Sequence, residues 1–237
     1  MIEHLNWDSD FFGYKIGRIH LTTTTNIQKV FHIVQQSEYK LIYLVVSESV
    51  HNEKLKKELE SHEIYLVDEK ITFSQNVPIT TSCNDNLDNI RLFLQKQVHP
   101  KLIDLSLQSG IYSRFKIDKN FINQEYEKLY TAWIENSVGG KIADRVIVAY
   151  QENEIVGLLT LAFKDSFSDI GVLAVDEHCR GQKIGHKLVK KAILETQEQA
   201  IRKVKVVTQK VNKQACNFYL KQNFDIEKID YIYHIWK

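Results

Sequence analysis

Apolar and polar positions alternate with two different periods along this chain, and the changes of period mark out its elements. Leu41-Ile42-Tyr43-Leu44-Val45-Val46 is an unbroken apolar run rich in β-branched and aromatic residues, the pattern of a buried strand. From Asn52 to Ser61 the spacing turns helical, with Leu55 and Leu59 four apart among charged residues. Ile64 to Phe73 alternates as a second strand. Asn76 to Asn86 holds Pro78 with several Thr, Ser, Asn and Asp residues and reads as a linker. The pattern predicts a small α/β domain over residues 1–80 and a larger one over 86–237.

In the larger part, Leu87, Ile90, Leu94 and Val98 share one helical face, which predicts a helix over 86–98 closed by Pro100. A second helix is predicted from Asp118, as N-cap, to Asn136, with Phe121, Tyr126, Leu129, Tyr130 and Trp133 inward and Gly139-Gly140 after its end. Arg145–Tyr150 and Ile155–Phe163 read as strands joined through the polar turn Gln151-Glu152-Asn153-Glu154, a hairpin. Asp169–Val175 is the next strand, Gln182–Ala200 a helix, Lys203–Gln209 a strand and Lys213–Gln222 a short helix. Phe224–Ile226 and Tyr231–Trp236 are predicted as two terminal strands, the latter an exposed-looking aromatic strand that could pair with a second copy as a homodimer. A helix crossing between two parallel strands makes the class mixed α/β. No repeat is visible in the residues themselves.

Composition narrows the function without naming it. A formal net charge of +1 argues against a nucleic-acid partner, which usually needs a basic face. The longest apolar run is far too short to span a membrane, and the N-terminus lacks a basic-then-apolar leader pattern, so neither membrane nor secretion is expected. The three cysteines, Cys83, Cys179 and Cys216, are odd in number and share no metal-ligand spacing. His178 and His186 have no partner at such spacing either, so no metal is expected and the reducing cytoplasm is the expected location.

The stretch that carries chemistry is Ile170 to Gly185, IGVLAVDEHCRGQKIG. An apolar strand runs into Arg180-Gly181-Gln182-Lys183-Ile184-Gly185 at the start of an amphipathic helix. Such a turn offers several free backbone N–H groups to one point, where a phosphate fits. A plain tight strand-to-helix turn, with its lysines on a solvated face, is the alternative. About thirty residues on come Asn212, Ala215, Tyr219 and Phe224.

Taken together, Val172–Gly185 followed by Asn212, Ala215, Tyr219 and Phe224 resembles the GCN5-related N-acetyltransferases (GNAT), with residues 86–237 following the order of that fold. Trp7-Asp8-Ser9-Asp10-Phe11-Phe12-Gly13, Ser113-Arg114-Phe115, Trp133-Ile134-Glu135-Asn136 and the tail Tyr231–Trp236 extend the likeness to the acetyltransferases of dTDP-fucosamine (dTDP-4-amino-4,6-dideoxygalactose). Two positions depart from the family pattern. Lys183 stands at the middle glycine of the turn, and Asn223 at the glycine before Phe224. A side chain at 183 questions the local backbone, because glycine permits conformations lysine avoids.

The resemblance implies the following roles. The N–H groups of the turn, Arg180, Gly181, Gln182, Lys183, Ile184 and Gly185, would hold the diphosphate of acetyl-CoA, and Leu173, Ala174 and Val175 would pair with its pantetheine arm. Asn212 caps the last helix or binds the pantetheine amides, or does both. Tyr219 would protonate the leaving thiolate; a phenol titrates near ~10 and a thiol near ~8.5, so little adjustment would be needed. An oxyanion donor is expected among the amides of 172–175. Asp68, beside Glu69, would be the base acting directly or through water, against the alternative that two adjacent acids form a solvated strand edge. Arg114 would pair with a substrate phosphate through its planar fork, against an ordinary surface ion pair. Trp7, Phe11 and Phe12 would line a sugar or base pocket, or simply pack. The implied function is direct, acetyl-CoA-dependent N-acetylation of the 4-amino group of a nucleotide-linked 4-amino-4,6-dideoxyhexose. An acetyltransferase for another amine (amino acid, polyamine or protein N-terminus) and a non-catalytic acetyl-CoA-binding protein stay open.

Overall fold

The computed structural model describes residues 2–79 and 86–237. Cys83 and most of the expected linker lie outside the described residues. Contacts divide the chain into two units. The first takes Met1–Ile71, Gln209–Val211 and Lys228–Lys237; the second takes Thr72–Thr208 and Asn212–Glu227. The division therefore falls at 71/72, ahead of the expected linker, and the C-terminal tail belongs with the N-terminal residues.

The first unit runs β1 (Glu3–His4), α1 (Asn6–Phe12), β2 (Ile16–Leu21), α2 (Ile27–Gln36), β3 (Leu41–Ser47), α3 (Glu53–Glu60) and the start of β4 (Leu66–Asn76). β1 pairs with β2 antiparallel, β2 with β3 parallel along its whole length, and β3 antiparallel with the tail strand β10 (Asp225–Trp236). Val30, Phe31 and Val34 of α2 and Leu59 of α3 close a core over Ile42, Leu44, Val46, Tyr233 and Ile235. The parallel strands and crossover helix follow from the apolar run at 41–46, which needs cover on both faces.

The second unit adds β5 (Ile90–Leu92), α4 (Pro100–Ser109), α5 (Arg114–Ile117), α6 (Glu125–Val138), β6 (Arg145–Gln151), β7 (Glu154–Phe163), β8 (Ser168–Val175), a 3-10 turn (Glu177–Cys179), α7 (Ile184–Glu198), β9 (Lys203–Gln209) and α8 (Lys213–Lys221). Its strand order is β9-β8-β7-β6-β5. β5 to β8 are antiparallel neighbours, and β8–β9 is parallel across the α7 crossover. The β6–β7 turn works because Glu152 and Asn153 both adopt positive φ, as a tight hairpin turn requires.

Several expectations are corrected. Residues 86–98 are not a helix: Ile90–Leu92 form β5, and Leu94, assigned to the inward face, is exposed. Pro100 opens a helix rather than closing one, sitting in its first turn where no N–H is needed. Asp118 does not cap the next helix. Its carboxylate accepts from Asn120 N and Nδ2, a local turn that delays the helix to Glu125. The terminal segment is one strand, not two. Tyr231–Trp236 is no free edge: it pairs with Leu41–Val46 on one side, has β4 on the other, and buries Ile232, Tyr233, His234 and Ile235. The homodimer argument built on that edge falls with it.

Strand–helix–strand–helix–strand occurs twice: β2-α2-β3-α3-β4 and β8-α7-β9-α8-β10. In both, the first two strands are parallel. The repetition lies in the order of elements and not in the residues.

Candidate functional site

The candidate site is built where β8 gives way to α7. Among the described residues β8 and β9 pair only through Ser168–Ile170 and Val204–Val206, although both strands continue, and none pairs with β8 on that side from Gly171 onward. The matching pair in the first unit, β2 and β3, stays paired over Ile16–Leu21 and Leu41–Val46.

Backbone direction along β8 follows from two hydrogen bonds. Val172 N donates to Thr160 Oγ1 at 2.9 Å and Asp176 N to Val156 O at 2.9 Å, both on the β7 side. Strand alternation then points Ala174 toward β7 as well, and leaves Leu173 and Val175 directed to the opened side. Of the three strand residues expected to pair with a ligand backbone, these two have the orientation and Ala174 does not. The amide of Val172 is likewise already used.

Asp176 anchors the following turn. Its buried carboxylate accepts from His178 N at 3.0 Å and from Lys101 Nζ, on α4, at 2.5 Å. The Lys101 ammonium holds that carboxyl below the usual range. Arg180 Nε donates to Val175 O at 3.2 Å. Gly181 has φ 81° and Lys183 φ 60°, so the glycine of the family pattern is replaced by a lysine that keeps the left-handed backbone. Gln182 and Lys183 are exposed, whereas the Ile184 side chain is buried. Lys183 stands at the N-cap of α7 and no side chain caps that end. α1 and α6 also start without a side-chain cap, α6 behind left-handed Gln124, whereas Asn26 caps α2, Asn52 caps α3 and Asn212 caps α8. The first amides of α7 are thus left to an external acceptor at the positive end of the helix.

A left-handed lysine carries a cost of about 1 kcal/mol relative to glycine. Lys183→Gly is therefore expected to stabilise the protein by about that amount, seen as a rise in Tm of about 2–4 °C. A fall in Tm would mean that the Lys183 side chain contributes more than its backbone costs.

α8 is set against this turn at close range. A Cβ on Gly185 would lie 3.3 Å from the Phe218 ring, so the bare backbone lets the helices meet. His186 Nδ1 and Gln222 Oε1 are 2.6 Å apart across the same junction. Asn212 Oδ1 accepts from Ala215 N at 3.0 Å, which makes it the helix cap and leaves its NH2 as the group that can address a ligand. Asn223 has φ 62°, the left-handed turn expected of it.

Tyr219 is buried in an aromatic nest of Phe73, Phe218 and Phe224, with ring centroids 5.5, 5.3 and 5.8 Å away. Burial pushes its phenol well above the ordinary value, with Cys216 adding to the shift. The expectation that little adjustment would be needed is corrected: the phenol is a weaker acid than a free tyrosine and stays protonated.

The remaining candidates divide between the units. Arg114 belongs to the second, as the first residue of α5, its guanidinium 4.5 Å from the Phe115 ring centre. Asp68 belongs to the first, on β4, and is buried, which overturns the solvated-edge alternative. Glu69 beside it is engaged with Lys210 at 2.6 Å. Trp7 stacks on Phe11 at 4.9 Å on α1, a helix with no buried residue.

Nothing in the residue pattern marks out Thr160 or Lys101. A glycine inside a strand run, as at Gly171, is the one signal that points to the bulge. Among the described residues no group of three His, Cys, Asp or Glu could hold a metal ion, and no helix is long and apolar enough to cross a membrane.

Residues 110–224 match the family model described as acetyltransferase (GNAT) family. No protein in the curated comparison matches the chain. A functionally unknown conserved protein from Staphylococcus epidermidis shares the fold with a TM-score of 0.57 at 15% identity, over 94% of this chain and 84% of that one. A tandem GNAT protein from the clavulanic acid biosynthesis pathway gives 0.53 at 12%, over 93% and 75%. A Drosophila protein gives 0.59 at 9%, over 94% and 71%. The fold is the mixed α/β fold shared with these GNAT structures.

Proposed function

We propose that this chain is an acetyl-CoA-dependent N-acetyltransferase. It passes the acetyl group directly to a primary amine, and the acceptor is the 4-amino group of a nucleotide-linked 4-amino-4,6-dideoxyhexose. The observation that carries the donor half is the uncapped start of α7 behind left-handed Lys183, next to a strand pair that opens after Ile170. The acceptor half is supported by the likeness at Trp7–Gly13, Ser113–Phe115 and the aromatic tail. A cytoplasmic location is supported by the odd number of cysteines and their lack of metal-ligand spacing.

Bound acetyl-CoA would supply a thioester whose carbonyl carbon the amine attacks. Amides from Gly181 to Gly185 hold the diphosphate, and the outward backbone of Leu173 with the Val175 N–H pairs with the pantetheine arm as an added strand. Arg114 takes a phosphate of the sugar nucleotide. The C–N bond forms and the C–S bond breaks. The amine loses a proton to Asp68, directly or through water, and the leaving sulfur gains one from solvent by way of the Tyr219 hydroxyl. Tyr219, with its raised phenol, stabilises the departing thiolate chiefly as a hydrogen-bond donor.

Calorimetry with coenzyme A and a thiol-release assay over an amine panel test the reading. One coenzyme A should bind per chain despite the repeated element order. In the first unit Asn26 Oδ1 occupies the amides of Gln28 and Lys29, and β2–β3 stays closed. Rapid thiol release is expected only with the dTDP-linked 4-amino sugar. Release with a polyamine or amino acid instead would move the acceptor. Binding without release on any amine would leave a non-catalytic acetyl-CoA-binding protein. Failure to bind coenzyme A would end the assignment.

A further inference from the structure

The opening of β8 from β9 begins at one irregularity, and a side chain holds that irregularity in place. Along β7–β8 the register is Leu159 opposite Leu173 but Leu161 opposite Ile170, so Gly171 and Val172 together face Thr160. Two residues against one is a β-bulge, which bends its strand, increases its twist and leaves a backbone group without a ladder partner. Here that group is the Val172 N–H, and the Thr160 hydroxyl accepts it at 2.9 Å. Thr160 is buried, so without the hydroxyl no water would be at hand to replace it. Gly171 makes room for the arrangement: a Cβ there would stand 2.9 Å from Thr160 Oγ1. The last residue of β8 that pairs with β9 is Ile170, immediately before the bulge.

We propose that Thr160 is a positioning residue for the acyl donor: its hydroxyl, admitted by Gly171, fixes the bulge that turns β8 away from β9 and leaves the Leu173 backbone groups and the Val175 N–H to the pantetheine arm. Thr160 touches no reacting atom. It acts through Val172, by setting where the strand bends. The inference rests on the donor reading given above. It adds a buried side chain on the neighbouring strand to the elements that define the slot.

Thr160→Val keeps the shape and removes the acceptor, while Thr160→Ser keeps the hydroxyl. Coenzyme A affinity by calorimetry, KM for acetyl-CoA and kcat separate the possibilities. Thr160→Val is expected to weaken coenzyme A binding and raise KM about tenfold, with kcat changed less than about threefold. Thr160→Ser should stay within about twofold of wild type in both. Gly171→Ala, which pushes a Cβ against the hydroxyl, should reproduce the affinity loss. Where Thr160→Val does not fold, Gly171→Ala against Thr160→Ser carries the same comparison. Wild-type affinity in Thr160→Val or Gly171→Ala would overturn the inference while leaving the donor reading intact. Equal losses in the valine and serine variants would also overturn it, since packing rather than the hydroxyl would then matter. No coenzyme A binding by the wild type would remove the donor reading itself.

Discussion

Tyr219→Phe is expected to lower kcat by about 10²–10³-fold while leaving acetyl-CoA affinity within about twofold of wild type. The substitution keeps the ring, so its contacts with Phe73, Phe218 and Phe224 survive and the protein should fold normally. Only the phenolic donor is lost. Because burial raises the phenol, the group is protonated through the whole range in which an amine acceptor becomes neutral. Activity that needs the protonated phenol persists below its pKa and is lost as pH rises through it. The alkaline limb due to Tyr219 therefore lies above the ordinary phenol range near ~10. Stability follows the same sign: a raised folded-state value favours folding below the unfolded pKa, and that contribution disappears at more alkaline pH. Steady-state kinetics from pH 6 to 10, with calorimetry for affinity, would check the split. Unchanged turnover would remove the role assigned to Tyr219, whatever became of the fold.

The parts of this site that could be read from residue order are those made by one continuous segment. β8, the turn, α7, β9 and α8 each carry their own period and their own end signals, and the Asn212 cap is visible from its place alone. What depends on a partner strand is not visible. Tyr231–Trp236 has the pattern of an aromatic edge, yet β3 and β4 flank it on both sides, and only tertiary pairing decides that. Leu87, Ile90, Leu94 and Val98 have helical spacing, but Ile90 is buried as part of β5 and Leu94 stays in solvent. Pairing with β6 overrode the periodicity there. The bulge at Gly171–Val172 needs Thr160, eleven residues upstream of Gly171 and unremarkable within an apolar run. The repeated strand–helix order is hidden for a further reason. A capping side chain closes one copy at Asn26 and none caps the other at Lys183, so the residues of the two copies diverge at that point.

Glu195→Gln is expected to destabilise the protein by about 2 kcal/mol at neutral pH, a fall in Tm of about 4–8 °C. Glu195 lies on α7 with its side chain only 3% exposed, and its carboxylate accepts from Arg145 Nε at 2.9 Å and Lys191 Nζ at 2.7 Å. Burial pushes the carboxyl up, but the hydrogen bonds from Lys191 and Arg145 outweigh it, so the group ends below its ordinary value. Breaking a fully buried pair would cost about 3–5 kcal/mol; both cations here are partly exposed, which places the effect lower. The sign with pH is set by the lowered value. Stabilisation is complete above the unfolded carboxylate pKa near ~4.3 and is lost as pH falls through the folded-state value. Urea unfolding at pH 7, 5 and 4 should therefore show the gap between wild type and variant narrowing at the acid end. Coenzyme A affinity should not change, because Glu195 sits near the far end of α7 from the turn. A variant as stable as wild type at pH 7 would mean that the two cations contribute no more than a neutral amide does. Lost affinity at full stability would mean instead that the Arg145–Glu195 contact, which ties α7 to β6, sets the helix position at its phosphate end.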